Sequence, residues 1–458
     1  MTPSAHEQMT IGERRAAATL SGIFGLRMLG LFMILPVFAL YAEHLDGVTP
    51  TLVGLAIGAY GLTQALLQIP AGMLSDRIGR KPVMVAGLLL FAAGSVLAAM
   101  SDTIHWVIVG RALQGAGAIA STVMALLADL TREEHRTKAM AFMGASIGVS
   151  FAVAMVAGPV LNHWIGVPGI FWLTGALALA AIAVVILLVP TPHRSGLHRD
   201  TEPVPALFGK VLRNGELLRL NYGIFSLHLL LTASFTVVPL ALRDFAGLAS
   251  GYHSFVYLGV MAGSLLVMVP AIILAEKKRR IKTVFLAAVA LLAAAELGLW
   301  QLHGSLSAIV AALFVFFAAF NILEATLPSL VSKVAPPDSK GTAMGFYSSS
   351  QFLGAFIGGA MGGWLHGRYG IEGVFLGSAV VAALWWLVAA GMRHPSYLSS
   401  YLLRVGPVDD AQARLLSERL AGVAGVAEAV VVAEDQTAYL KVDRSRLDVE
   451  ALQQYAVA

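Results

Sequence analysis

Gly72-Met-Leu-Ser-Asp-Arg-Ile-Gly-Arg-Lys81 is a charged decapeptide held between two apolar runs, residues 51–73 and 82–100. Each run is long enough to cross about 30 Å of hydrocarbon as a helix, which takes roughly 20 residues. A polar turn this short between two such runs makes them antiparallel neighbours in a bilayer. Its residues have separate physical uses. Gly72 permits close helix approach, Gly79 can take the positive φ of a tight turn, and Asp76 is an anion suited to the N-terminus of a neighbouring helix, where the dipole favours it. Arg77, Arg80 and Lys81 are the cations that decide which side of a membrane such a turn occupies.

Outward from this point the chain keeps the same character. Of 458 residues 57% are hydrophobic and 13% charged, and the mean hydropathy is +0.76, whereas a soluble domain is about 25% charged. Apolar runs recur at 17–42, 51–73, 82–100, 104–128, 138–161 and 167–189, and after a polar break at 217–242, 251–275, 281–302, 306–331, 342–365 and 373–392, which makes twelve spans. The polar start, residues 1–15, leads into a span too long for a removable signal segment and carrying Arg27, so the first helix is expected to stay in the protein. With no cysteine, disulfides and thiolate metal sites are excluded, and no metal or cofactor is expected.

The formal charge of +4 says less than where the cations sit. Arg14 and Arg15 precede the first span, Arg77, Arg80 and Lys81 follow the second, and Arg132, Arg136 and Lys138 follow the fourth. Arg194, Arg199, Lys210, Arg213 and Arg219, then Lys277 to Lys282, then Lys333 and Lys340 continue the alternation, while the opposite connections hold only Arg243 and Arg368. By the positive-inside rule both termini face the cytoplasm. Strict alternation with apolar spans argues against a nucleic-acid patch.

An internal repeat supports two equivalent halves. Arg136-Thr-Lys-Ala-Met-Ala-Phe142 aligns with Lys340-Gly-Thr-Ala-Met-Gly-Phe346, and at the same offset Gly158, Gly166, Gly169 and Phe171 fall on Gly362, Gly370, Gly373 and Phe375. Parallel six-helix halves of this kind rock about a site near the bilayer midplane.

The decapeptide pattern, together with Leu26-Arg-Met-Leu-Gly-Leu-Phe-Met-Ile-Leu-Pro36, Gly110-Arg-Ala-Leu-Gln-Gly-Ala-Gly117 and Phe320-Asn-Ile-Leu-Glu-Ala325, resembles the major facilitator superfamily of transporters over residues 1–392. The resemblance implies an all-α membrane protein of twelve transmembrane helices in two six-helix halves, in a bacterial cytoplasmic (inner) membrane. It further implies that Asp76 clasps the start of the eleventh helix, near Lys340 to Met344, and so holds the outward-open state, and that Arg80 pairs with Asp129 and Asp76 in a charge cluster that breaks as the halves rock. Arg111 matches a motif linked in the family to proton coupling; the alternative is a structural hub donating to carbonyls of the first helix. Gly144, Gly148 and Gly158-Pro159 resemble part of the antiporter motif, but Val160-Leu161 follows where that motif continues with a glycine pair.

Ionisable groups inside a span default to a functional reading. Arg27, Gln64 and Gln68, His228, Glu296, Asn321 and Glu324 are the candidates. In the family fold the first, fourth, seventh and tenth helices line the cavity, which promotes Arg27, His228 and Glu324 with Asn321 and demotes Glu296. A carboxyl in a low-dielectric cavity can load and release a proton near neutrality, which points to Glu324 for coupling. The competing reading is that Asn321 and Glu324, one turn apart, merely cross-link helices. Met and aromatic side chains are read as packing or lipid-facing.

The expected organisation is a first bundle over 1–190, a cytoplasmic linker over 191–216, a second bundle over 217–393 and a soluble domain over 399–458. In that last stretch 401–405, 426–432 and 438–442 read as strands, 409–420 as a helix capped by Asp409 and 447–455 as a second helix, the β-α-β-β-α order of a small α+β, ferredoxin-like domain. The order also resembles heavy-metal-associated domains, but the first loop has no Cys-x-x-Cys. The domain is expected to be regulatory, with self-association one way to complete its sheet. The function so read is proton-coupled efflux of small amphipathic molecules by alternating access, with a small-molecule substrate, protons and the lipid bilayer as partners. The alternatives are a uniporter or symporter of a small metabolite and a non-transporting membrane sensor signalling through the C-terminal domain. No catalytic set or phosphate loop stands out, which disfavours an enzyme.

Overall fold

The computed structural model describes residues 9–191, 199–394, 398–443 and 445–456, apart from the side chains of residues 133, 134 and 137. Arg194 and the rest of 192–198 in the linker lie outside the described residues. The first crossing is broken: α1 (Ile11–Phe32) ends and α2 (Phe38–Ala42) resumes after a turn containing Pro36, whose ring removes a backbone donor. α3 (Pro50–Ile78) and α4 (Arg80–Ala99) meet at the decapeptide, which proves to be helical except at Gly79, with φ 97°. The turn expected there is thus a single-residue corner between two helices. α5 (Ile104–Ala116) and α6 (Ala120–Asp129) share the fourth crossing across a break at Gly117.

α7 (Glu133–Leu187) has 55 residues. At 1.5 Å per residue it would extend ~80 Å, more than twice the hydrocarbon thickness. It folds back at Gly166, φ 67°, and so supplies the fifth and sixth crossings. After the short α8 (Phe208–Leu212), α9 (Gly215–Phe235) and α10 (Val238–Leu240) form the seventh, followed by α11 (His253–Lys277), α12 (Ile281–Leu302) and α13 (Leu306–Val334). α14 (Lys340–Ala390) repeats the fold-back at Gly370, φ 70°, and supplies the last two. Gly166 and Gly370 are the pair that the internal repeat superimposes, and a left-handed φ is why both are glycine.

The repeat extends to details. The residues that restart the first and seventh crossings, Val37 and Val237, have φ/ψ of −127°/−23° and −129°/−23°. Lys81 Nζ donates to the Val189 carbonyl at the end of the sixth crossing, and Lys282 Nζ to that of Met392 after the twelfth, each at 2.5 Å. Among the described residues nine helices are long and apolar enough to span a membrane, α7 and α14 twice over; with α1 this gives the twelve crossings of two six-helix halves.

The halves touch most closely along α3 and α14. A β-carbon on Gly54 would lie 2.0 Å from the Gly359 carbonyl oxygen, one on Gly58 2.8 Å from that of Phe356, and one on Gly61 2.5 Å from that of Phe352. These contacts lie toward the start of α3, away from the decapeptide.

Beyond α14 the chain forms β1 (Ser399–Arg404), α15 (Asp410–Ala421), β2 (Val426–Val432), β3 (Thr437–Val442) and α16 (Val449–Gln453) in the expected order. The sheet is antiparallel, β1-β3-β2, with Tyr401 opposite Leu440 and Val430 opposite Tyr439. Asp409 caps α15 in a reciprocal box with Gln412. β3 is buried on both faces. Ala438, Leu440 and Val442 enter the domain's own core with Leu403, Leu420 and Leu452. Thr437, Tyr439 and Lys441 face the other way by the period of two, and there Lys441 Nζ donates to the Lys333 carbonyl at the end of α13, 2.6 Å away. The domain therefore docks on the membrane body through one face of its central strand.

Candidate functional site

Two polar groupings lie at different depths, one on the decapeptide and the linker, the other deeper and beside aromatic rings that bridge the halves. The first is built on the decapeptide. A β-carbon on Gly72 would meet that of Ser121 at 2.9 Å, so this glycine lets α3 close on α6. That approach brings Asp129 to Arg80, whose Nε donates at 3.2 Å, while Nη1 donates to Asp76 and, at 2.8 Å, to Ser75 Oγ. Nη2 reaches outside the motif, to Glu202 Oε1 in the linker at 2.7 Å. The Arg80, Asp129 and Glu202 side chains are 2%, 0% and 4% exposed. One guanidinium thus serves three carboxylates, two of them almost fully buried and Asp76 one-third exposed.

The linker between Arg199 and Val204 lies over the start of α14. The Gly341 N–H donates to the Arg199 carbonyl at 2.9 Å, and the Val204 N–H to Thr342 Oγ1 at 2.9 Å. Asp200 accepts from Arg136 Nη1 at 2.9 Å. From the C-terminal domain, Glu434 and Asp435 accept from Arg199 Nη2 and Nε, each at 3.0 Å, and Tyr439 Oη donates to Asp435 at 2.9 Å. Burial, with Asp435 and Asp200 nearby, pushes the Tyr439 phenol up, and burial pushes the Lys441 ammonium down. The structure pairs Asp76 with Arg80, and linker backbone meets the first turn of α14 where the resemblance implied an Asp76 clasp.

The second grouping lies deeper. Gln351 of α14 donates through Nε2 to Glu324 Oε1 of α13 at 3.3 Å and stands 2.8 Å from His228 Nε2 of α9. An amide N–H approaching Nε2 makes that ring nitrogen the acceptor, which places the imidazole proton on Nδ1. His228 Nε2 is 3.9 Å from Glu324 Oε2. Asn321 Nδ2, one turn before Glu324, donates to Ser264 Oγ of α11 at 3.0 Å. The Glu324 side chain keeps 33% exposure.

Next to this carboxyl, aromatic rings bridge the halves. Phe151 of α7 stacks on Phe320 with centroids 5.5 Å apart and is edge-on to Phe32 of α1 at 5.0 Å; Phe320 also meets His228 at 5.8 Å. Past them the chain is buried almost throughout from Met33 through α2 to Ala42, and from Leu227 of α9 through α10 to Leu242. Toward the decapeptide the picture differs: β-carbons on Gly144 and Gly148 would meet nothing within 4 Å. The space between the halves is closed at the buried end, while on the decapeptide side Gly144 and Gly148 stand open.

Gly158, by contrast, is packed, since a β-carbon there would lie 2.5 Å from the Met33 carbonyl oxygen and 3.0 Å from the Pro36 ring. Pro159 follows it inside α7. Arg27 and Arg111 turn into the first bundle. Arg27 donates to Gln64 at 2.6 Å, Gln64 to Gln68 at 3.0 Å, and the Arg27 guanidinium lies over Tyr60 and Phe91 beside a small void lined by α1, α4 and α7. Arg111 donates to Gln114 at 2.8 Å and approaches the Ala56 and Ile57 carbonyls at 3.4 and 3.5 Å. Those carbonyls belong to α3, the second crossing, and not to the first helix as expected, because Gly115 brings α5 against Tyr60. Glu296 is buried inside the second bundle, accepting from Ser234 at 2.6 Å.

Residues 20–359 and 261–400 match the Major Facilitator Superfamily. The chain belongs to this superfamily. It is 49% identical to the inner membrane transport protein YajR of Escherichia coli (strain K12), over 97% of this chain and 98% of that one. It is 28% identical to the multidrug resistance protein MdtH of Aeromonas salmonicida (strain A449), over 81% of this chain and 94% of the relative. Its fold is similar to a bacterial homolog of the human lysosomal transporter Spinster, solved in an inward-facing and occupied conformation, with TM-score 0.69, 14% identity, and 84% and 98% of the two chains covered.

As a major facilitator the chain is a multi-pass membrane transporter, and its two polar groupings contain residues that sequence reasoning missed. Gln351 had a signal, since Tyr347-Ser-Ser-Ser-Gln351 is a polar run inside an apolar span. Phe151 and Phe320 were read as packing residues. Arg199 and Glu202 sit in a linker where charge is ordinary, and nothing local marked them.

Proposed function

We propose that this transporter is a proton-coupled exporter of small, amphipathic molecules, set in a bacterial inner membrane with both termini cytoplasmic. The observation that carries the reading is Glu324, a half-open carboxyl at the base of a vestibule, beside Gln351, His228 and Phe320. A carboxyl among neutral partners holds a proton when the cavity is dry and releases it when water enters. The aromatic bridge separates it from the closed end, so rocking the halves would expose it to one side at a time. With the basic decapeptide end in the cytoplasm, the present arrangement is the inward-facing one. Asp76, Arg80 and Asp129 then form the first half's part of a latch on the cytoplasmic side, with the Asp76 clasp on α14 unmade in this arrangement, and the names of relatives such as MdtH favour export of drug-like compounds.

Proteoliposomes with an entrapped pH indicator test this. Addition of lipophilic cations to parent vesicles under an imposed pH gradient should produce proton movement, and Glu324→Gln should abolish it while binding persists. Undiminished proton movement in Glu324→Gln would overturn the assignment.

A further inference from the structure

Residues 199–204 touch three bodies at once. Glu202 and Asp200 pair with Arg80 and Arg136 of the first bundle; the Arg199 carbonyl and Val204 N–H bond the first turn of α14 in the second; the Arg199 side chain is held by Glu434 and Asp435 of the C-terminal domain. The strap also packs without a gap. A β-carbon on Gly341 would lie 2.3 Å from Glu202 N, and one on Gly345 3.0 Å from the Pro203 ring and 3.7 Å from Ile69 of α3. The linker is therefore interposed between the last turns of α3 and the first turns of α14.

We infer that this strap is a further component of the latch, with Glu202 its positioning residue, and that the C-terminal domain acts on transport by holding Arg199. The inference rests on the alternating-access reading above. A segment bonded to both halves fixes their spacing at that end. Its contacts are complete in the arrangement described here, so they add to the stability of that arrangement over one in which the decapeptide end closes and the strap must move aside. Release of Arg199 by the C-terminal domain removes one of those ties and frees the strap. An accessory domain with no part in the cavity thereby biases which mouth is open.

The chain has no cysteine, so spin labels can be placed at will in the full-length protein in nanodiscs. Phe142 of α7 and Ile273 of α11 are exposed positions in the two halves toward the decapeptide end. Double electron–electron resonance between labels there should show two separations in the parent. Glu202→Gln should shift the populations toward the shorter one by about tenfold, the equivalent of one charge-assisted hydrogen bond. Arg199→Ala should shift them in the same sense by about two- to fivefold, as should Glu434→Ala with Asp435→Asn, in which the amide still accepts from Tyr439. Loss of stability alone would lower the melting temperature without this directional change. Unchanged populations in folded variants of an interconverting parent would overturn the strap and leave the transport reading standing. A parent with one fixed separation at every pH and in every substrate tested would overturn both.

Discussion

Three carboxylates converge on Arg80, and a guanidinium has five N–H donors in a planar fork with which to meet them. Removing it leaves Asp129 and Glu202 buried beside Asp76 with their common cation gone, a change that costs about 3–5 kcal/mol for a buried pair. Arg80→Ala should therefore lower the melting temperature of the purified protein markedly, and Arg80→Lys should recover only part of the loss, because an ammonium cannot span three acceptors. Equal melting temperatures for parent and Arg80→Ala would show that the acids find other partners. The grouping of Asp76, Arg80 and Asp129 was legible through the family resemblance that the decapeptide carries. Glu202 was not, since an acid in a polar linker is most often a solvated one, and only the path of the chain over α14 brings it to Arg80.

At the level of helices, glycine decides where elements meet and where they turn. Gly370 needs its positive φ to reverse α14, and an alanine there pays roughly 1–2 kcal/mol of left-handed strain, so Gly370→Ala should destabilise measurably while Gly144→Ala, in open space, should not. Gly359→Val forces a branched side chain into backbone and should open the end away from the decapeptide. Maleimide labelling of Phe38→Cys, buried in the parent, should then quicken several-fold. The repeat superimposed Gly166 on Gly370 without showing that both are corners inside otherwise continuous helices. Breaks at residues 33–37 and 117–119 were also hidden, since an apolar run reads as one span whether or not its backbone pairing is interrupted.

Across the whole molecule, the proposed mechanism makes the aromatic bridge the barrier between the decapeptide side and the closed end. Phe151→Ala removes the ring that faces both Phe32 and Phe320, and should let protons cross vesicles in the absence of any compound. A tight Phe151→Ala vesicle would assign the barrier to the buried stretches from Met33 to Ala42 and from Leu227 to Leu242 instead. The twelve crossings and the order of the small domain followed from hydropathy and turn chemistry. The docking of that domain did not, because alternation along β3 shows which side chains face away from its own core and leaves open what they meet.

If the halves rock as proposed, the bare seam between α3 and α14 sets how they pivot. Where Gly54, Gly58 and Gly61 lie on Gly359 and the backbone of Phe356 and Phe352, few interlocked side chains must change rotamer for one helix to slide on the other. Such a surface behaves as a bearing: it carries the load of the two halves yet offers little friction. Resistance to motion is then concentrated in the salt-bridged rim, where it can be adjusted without rebuilding the axle.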